Sequence, residues 1–207
     1  HGAPALRVTP EVSDDLHSAA VTVEVSCENT PDGTEVLFVI EGVGEQTAPV
    51  QSGKAVTVFH IENVHLWDGV TDPYLYSIAA SLPGGDAVAV NFGCRKIDFK
   101  PDTGFWLNGR NVRLVGAARH QDRAGLGNAL TAAEHEEDMQ TLRDMGANTV
   151  RLAHYQHAQY FYDLCDKYGL VAWAEIPYIT EHMPEATANA LSQMEELVLQ
   201  NYNHPSI

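Results

Sequence analysis

The chain has 207 residues, enough for one large domain or two smaller ones with a real core. With 44% hydrophobic and 19% charged residues it has the composition of a folded globular protein, not of a disordered segment. Its 28 acidic against 12 basic residues leave a net charge of -16, which argues against nucleic acid or an anionic membrane surface as a partner, because both are met by clustered Lys and Arg.

No apolar run approaches the roughly 20 residues of a membrane span, and the opening HGAPALRVTP lacks the basic-then-apolar order of a signal peptide. The three cysteines, Cys27, Cys94 and Cys165, leave at least one thiol unpaired. No tryptophan follows Cys27 at strand distance, so an immunoglobulin disulfide is disfavoured and buried thiols are expected, which leans toward a reducing, cytoplasmic compartment.

Up to about residue 99 the pattern alternates with period two. VTVEVSC puts Val21, Val23, Val25 and Cys27 on one face and Thr22, Glu24 and Ser26 on the other, the mark of a half-buried antiparallel strand. EVLFVIE, KAVTVFHI, PYLYSIAA and DAVAVNFG repeat the pattern, with turns at Pro31-Asp32-Gly33 and Pro83-Gly84-Gly85. Residues 1–99 therefore read as a β-sandwich.

Residues 100–207 read as an α/β unit. An Asn-Gly hairpin is predicted at Leu107-Asn108-Gly109-Arg110. A first helix starts at a Thr131/Glu134 capping box and presents His135, Met139, Leu142 and Met145 inward, ending at Gly146. NTVRL follows as a strand. A second helix faces inward with Phe161, Leu164, Cys165 and Tyr168 and stops at Gly169, and LVAWA reads as a buried parallel strand. A third helix is expected to turn Leu191, Met194, Val198 and Tyr202 inward. Three βα units in succession imply a parallel sheet. A dinucleotide site is not indicated, since Gly125-Leu126-Gly127 lies in a loop and Leu130 stands in the third glycine's place.

In parallel α/β folds ligands gather at the carboxyl ends of the strands. Those ends carry Arg119-His120-Gln121-Asp122, Arg151-Leu152-Ala153-His154-Tyr155 and Glu175-Ile176-Pro177-Tyr178, so each of the three ends in ionisable groups. His120, Arg151, His154 and Glu175 are the candidate binding set. The competing reading for any one of them is structural, such as Arg151 paired with Glu175 across neighbouring strands. A zinc-protease helix fails because Met139 replaces the second histidine, and His154 with His157 straddles a strand-to-helix turn. Glu134, Glu136, Glu137 and Asp138 read as a solvated helix start.

Asn148-Thr149-Val150-Arg151-Leu152-Ala153-His154-Tyr155, followed by Phe161 to Leu170, resembles the first signature of glycoside hydrolase family 2, which includes β-galactosidases, β-glucuronidases and β-mannosidases. Leu66-Trp67, Asp72 to Tyr76, Phe105 to Gly109 and Arg119-His120 resemble flanking pieces of the same family. The resemblance implies an immunoglobulin-like β-sandwich followed by the first three βα units of a (β/α)8 TIM barrel. The activity it implies is retaining hydrolysis of terminal β-linked sugars, a β-galactosidase in first place. His120, Arg151, His154 and Glu175 would bind the carbohydrate substrate.

Retention needs two carboxylates about 5 Å apart. Asn201 to Ile207 resembles the segment leading into the family's Asn-Glu acid/base motif, so the resemblance implies an internal piece without its catalytic glutamates, inactive by itself. Asp122, Glu175 and Glu181 are the stand-ins within reach. Gln156, Ala118 and Ala174 depart from the family's usual proline, asparagine and aspartate, and sugar identity does not follow from the match. No cofactor is required by it, although a divalent metal or sodium is compatible with the parent enzyme, with Glu181 and His182 in the relevant region. Homo-oligomer formation is compatible too. The alternative from another class is a non-catalytic carbohydrate-binding or interaction module.

Overall fold

The computed structural model describes residues 4–207. The first half holds β1 (Leu6–Val12), β2 (Ser18–Ser26), β3 (Glu35–Ile40), β4 (Gly44–Pro49), β5 (Lys54–Glu62), β6 (Tyr76–Ser81) and β7 (Ala87–Phe92). Two antiparallel sheets, ordered β1-β2-β5 and β4-β3-β6-β7, enclose one core. The alternation dictates this: Val21, Val23 and Val25 of β2 and Val36, Phe38 and Ile40 of β3 are buried between the sheets. Each such side chain contributes roughly 1.5–3 kcal/mol by leaving water.

Two strands escape the pattern. β4 is polar along nearly its whole length, and β1 carries Pro10, which an edge strand tolerates because the missing N–H takes no bond from the ladder with β2. All three cysteines are buried free thiols, and burial pushes the Cys94 thiol up to about 12.

A small antiparallel sheet of β8 (Ile97–Lys100), β9 (Gly104–Leu107) and β10 (Arg110–Asn111) follows. Asn108 (φ 48°) and Gly109 (φ 74°) supply the two left-handed residues that a tight hairpin turn demands. Then come β11 (Gly116–Arg119), α1 (Ala132–Asp144), β12 (Thr149–Leu152), α2 (Gln159–Tyr168), β13 (Val171–Ala174) and α3 (Thr187–Gln200). The three strands pair in parallel, in the order β11-β12-β13.

The Glu134 carboxylate accepts the Thr131 N–H at 2.6 Å, closing the start of α1 as expected. His135, Met139 and Leu142 of α1 are buried, whereas Met145, expected inward, is exposed because it falls at the C-cap. α2 buries Phe161, Leu164 and Cys165, and also Tyr162 and Asp166. The expected inward face of α3 is not inward: Leu191, Met194 and Val198 are exposed and Leu197 is buried. Helical spacing reveals that an apolar face exists, but what covers it is a tertiary matter.

The two halves are stitched by polar bonds, the Trp67 bond buried and those of Asn203 partly so. The Trp67 indole N–H donates to the Asp166 carbonyl at 2.9 Å, and Trp67 packs with Phe105 and Leu107. After α3, the Asn203 side chain accepts the Val8 N–H at 2.9 Å and donates to the Leu6 carbonyl at 2.8 Å, so it occupies the outer edge of β1.

Candidate functional site

The parallel register decides where the strand-end residues go. Arg151 lies beside Ala118 on one side and Trp173 on the other. Val150 and Leu152 are buried against the helices, so the period of two sends Arg151 to the opposite face, where 48% of its side chain is exposed. Glu175 follows β13 directly, and its side chain is 18% exposed.

The Arg151 Nε donates to Glu175 Oε1, and Nη2 reaches Oε2 at 3.3 Å. His154 Nδ1 lies 2.9 Å from Glu175 Oε2 and 3.3 Å from Arg151 Nη2. One ring nitrogen cannot donate to the carboxylate and accept from the guanidinium at once, and the shorter, charge-assisted contact decides. His154 therefore carries its proton on Nδ1 and bonds to Glu175. His120 stands edge-on to His154, with ring centroids 5.3 Å apart. All four residues named from the sequence thus meet on one side of the sheet. The structural reading of the Arg151–Glu175 pair is realised as well.

The hydrogen bond from Arg151 is the main cause that holds the Glu175 carboxyl below the usual carboxylate range. Burial opposes it, and the bond from His154 assists. Glu175 thus stays ionised near neutrality, with its oxygens turned to a guanidinium and an imidazole. An ionised carboxylate is not poised to deliver a proton to a leaving group, and Glu175 is the one carboxylate in this hydrogen-bonded cluster among the described residues. Asp122 and Glu181 are exposed and take no part in those bonds. Tyr155 braces the cluster from behind, its hydroxyl accepting the Gln121 N–H at 3.0 Å.

Two neighbouring features were not anticipated. Arg119 does not join its chain neighbour His120 at the rim but is buried on the helix side, and Asp138, expected to be solvated, pairs with it and with Arg123. The signal was present in the period of two, since Arg119 is in register with buried Leu152. His157 joins Arg119 and not His154.

His182, near the region considered for a metal, bonds to the Tyr178 hydroxyl at 2.7 Å. The donor atoms of Asp163, Asp166 and His204 lie within 4.8 Å of one another, yet Asp166 and His204 already bond to each other at 2.6 Å. None of the helices is long and apolar enough to cross a membrane among the described residues.

Residues 4–95 match the family described as Glycosyl hydrolases family 2, and residues 100–207 match its TIM barrel domain. The chain belongs to glycosyl hydrolase family 2. A β-glucuronidase of Bacteroides fragilis is 44% identical over 160 residues, covering 71% of this chain and 23% of its own length. A β-galactosidase of Thermoanaerobacterium thermosulfurigenes is 34% identical over 189 residues, 86% of this chain and 25% of its own. The crystal structure of a putative β-galactosidase from Bacteroides fragilis superposes with a TM-score of 0.90 at 36% identity, covering 99% of this chain and 33% of that one. The chain spans about a quarter of the length of the curated relatives it matches. The family 2 architecture is accordingly a β-sandwich followed by the first three βα units of the TIM barrel.

Proposed function

We propose that His120, Arg151, His154 and Glu175 form a subsite that holds the hydroxyl groups of a terminal β-linked sugar in a retaining β-glycosidase. In this reading residues 1–99 are the supporting sandwich and residues 100–207 the first part of the catalytic barrel. The observation that carries it is the convergence of three successive strand ends in one hydrogen-bonded cluster, at the place where barrels bind their ligands. A retaining cleavage calls for a second carboxylate about 5 Å from the first, and this cluster offers one, already paired. The 207 residues are therefore assigned to binding and not to bond breaking.

The relative named β-glucuronidase at 44% identity favours a β-glucuronoside ahead of the β-galactoside expected from the sequence. The relatives named β-galactosidase, at 34% and 36%, keep the galactoside as the second reading. Titration of the chain with methyl β-glucuronide and methyl β-galactoside, followed through the imidazole signals of His120 and His154, tests both. Binding is expected at an affinity on the order of 1 mM. If neither sugar moves those signals, or if the chain hydrolyses an aryl β-glycoside and Glu175→Gln abolishes this, the reading is wrong.

A further inference from the structure

Behind the subsite, on the helix side of the sheet, Arg119 is 7% exposed and fully engaged. Its Nε donates to Asp138 Oδ2, its Nη1 to His157 Nδ1 and its Nη2 to His135 Nδ1, each at 2.9 Å, and its guanidinium lies 3.9 Å above the centre of the Phe161 ring. A guanidinium has no acceptor. Both Nδ1 atoms must therefore offer lone pairs, and in each neutral ring the proton is forced onto Nε2.

For His157 this has a consequence at the subsite. Its Nε2–H donates to the Ala153 carbonyl at 3.3 Å, and the Ala153 N–H donates to the Arg119 carbonyl at 3.0 Å. Ala153 directly precedes His154, so one residue pair grips the backbone on both sides just before the ring that bonds to Glu175. We infer that His157 is a positioning residue for His154: Arg119 fixes its tautomer, and the resulting Nε2–H aims the segment that delivers His154 to Glu175.

Most of the surroundings of His157 favour the neutral ring. Burial is the largest cause that drives it down to about 4, the bond to Ala153 works against this, and the charges of Arg119, His120 and His135 add to the depression. Tyr155 and Phe161 close its aromatic sides, and Asp138 neutralises Arg119 from α1.

The inference rests on the proposed sugar subsite only in its binding arm. In His157→Asn the amide oxygen can still accept from Arg119, but no donor reaches Ala153. In His157→Gln the amide nitrogen stands where Nε2 stood and the donor is kept. In the nitrogen-15 labelled chain, without sugar, the His154 Nδ1–H signal is expected to shift or broaden in His157→Asn and to return toward wild type in His157→Gln, while both variants melt at lower temperature. Sugar affinity is expected to fall on the order of tenfold in His157→Asn, the worth of one net hydrogen bond.

An unchanged His154 signal in folded His157→Asn overturns the inference. So does a wild-type His157 whose proton resides on Nδ1, a measurement that needs no variant to fold. If wild type binds neither sugar, the function proposed above fails, and the His154 signal still decides the positioning role.

Discussion

Gly169 ends α2 in the left-handed region (φ 76°) and lies against Gly69, so closely that a Cβ on Gly169 would stand 2.1 Å from the Gly69 carbonyl oxygen and 2.5 Å from the Val70 nitrogen. The obstructing atoms are backbone and no rotamer change relieves them. The contact fixes the end of α2 against the turn that follows Trp67, whose indole bonds to the Asp166 carbonyl nearby. Two glycines 100 positions apart thereby set how sandwich and barrel units meet.

The two glycines are not equivalent, and this makes a test. Gly69→Ala suffers mainly from its own φ of 63°, with the nearest atom 3.4 Å away, and is expected to lose about 1–2 kcal/mol. Gly169→Ala adds the backbone clash, so about 3 kcal/mol or more is expected. Denaturant unfolding of both variants checks the order. Equal losses would show that the contact is looser than described.

Among the groups that shape the pH profile of stability, His157 and His204 act with opposite signs. His157 is driven down to about 4, first by burial, so an unfolded chain takes up its proton at higher pH than the folded one. Stability is expected to fall as pH drops from about 6.5 to about 4, by on the order of 3 kcal/mol from this group. His204 behaves in reverse. Burial works to lower it, but the hydrogen bond it donates to Asp166 and the charges of Asp166 and Asp163 raise it above its usual value. Its contribution is complete below about pH 6.5 and lost as pH rises through the folded value. Melting curves against pH should therefore flatten on the acid side in His157→Gln and on the alkaline side in His204→Asn. A profile unchanged by either substitution contradicts the assignment.

Much of this was legible from periodicity. The alternation of β2 and β3, the Asn108-Gly109 turn and the Thr131/Glu134 cap are local chemistry, and each stands where the residues place it. The convergence of His120, Arg151, His154 and Glu175 was legible because strand ends of a parallel sheet share one rim. Three things were not. The face of α3 holding Leu191 and Met194 is exposed, since amphipathicity does not name the covering partner. β4 has no apolar alternation, as its residues need only pair with β3. Asp138 looked like helix-start charge because its partner Arg119 is 19 residues away, and an isolated buried cation is invisible until the register turns it inward.

Glu175 titration distinguishes its two partners. Arg151 contributes the larger hydrogen bond and His154 the smaller. The carboxyl is therefore expected to titrate below the ordinary value of about 4.3. Its midpoint should move up strongly in Arg151→Met and less in His154→Asn, as read from the Glu175 carboxyl carbon signal. Because the folded value is depressed, the stability it supplies is present above about pH 4.3 and lost as pH falls through the folded value. The reverse ranking of the two variants would move the main partnership from Arg151 to His154.

β13 is the outer strand of its sheet, and Trp173 on it is 65% exposed beside a cavity of about 390 Å³ lined by Ile97, Phe99, Leu114, Val171 and Ile207. Ser206 takes the Ala172 N–H at 2.7 Å and begins to cover that edge, but the aromatic face of Trp173 stays in contact with water. An apolar edge of this kind invites pairing with another chain. The 207-residue chain is expected to self-associate with rising concentration in sedimentation, and Trp173→Glu to suppress this by placing a charge on the exposed face. Association that persists unchanged in Trp173→Glu would assign the contact to another surface, the exposed Leu191 and Val198 face of α3 being the next to test.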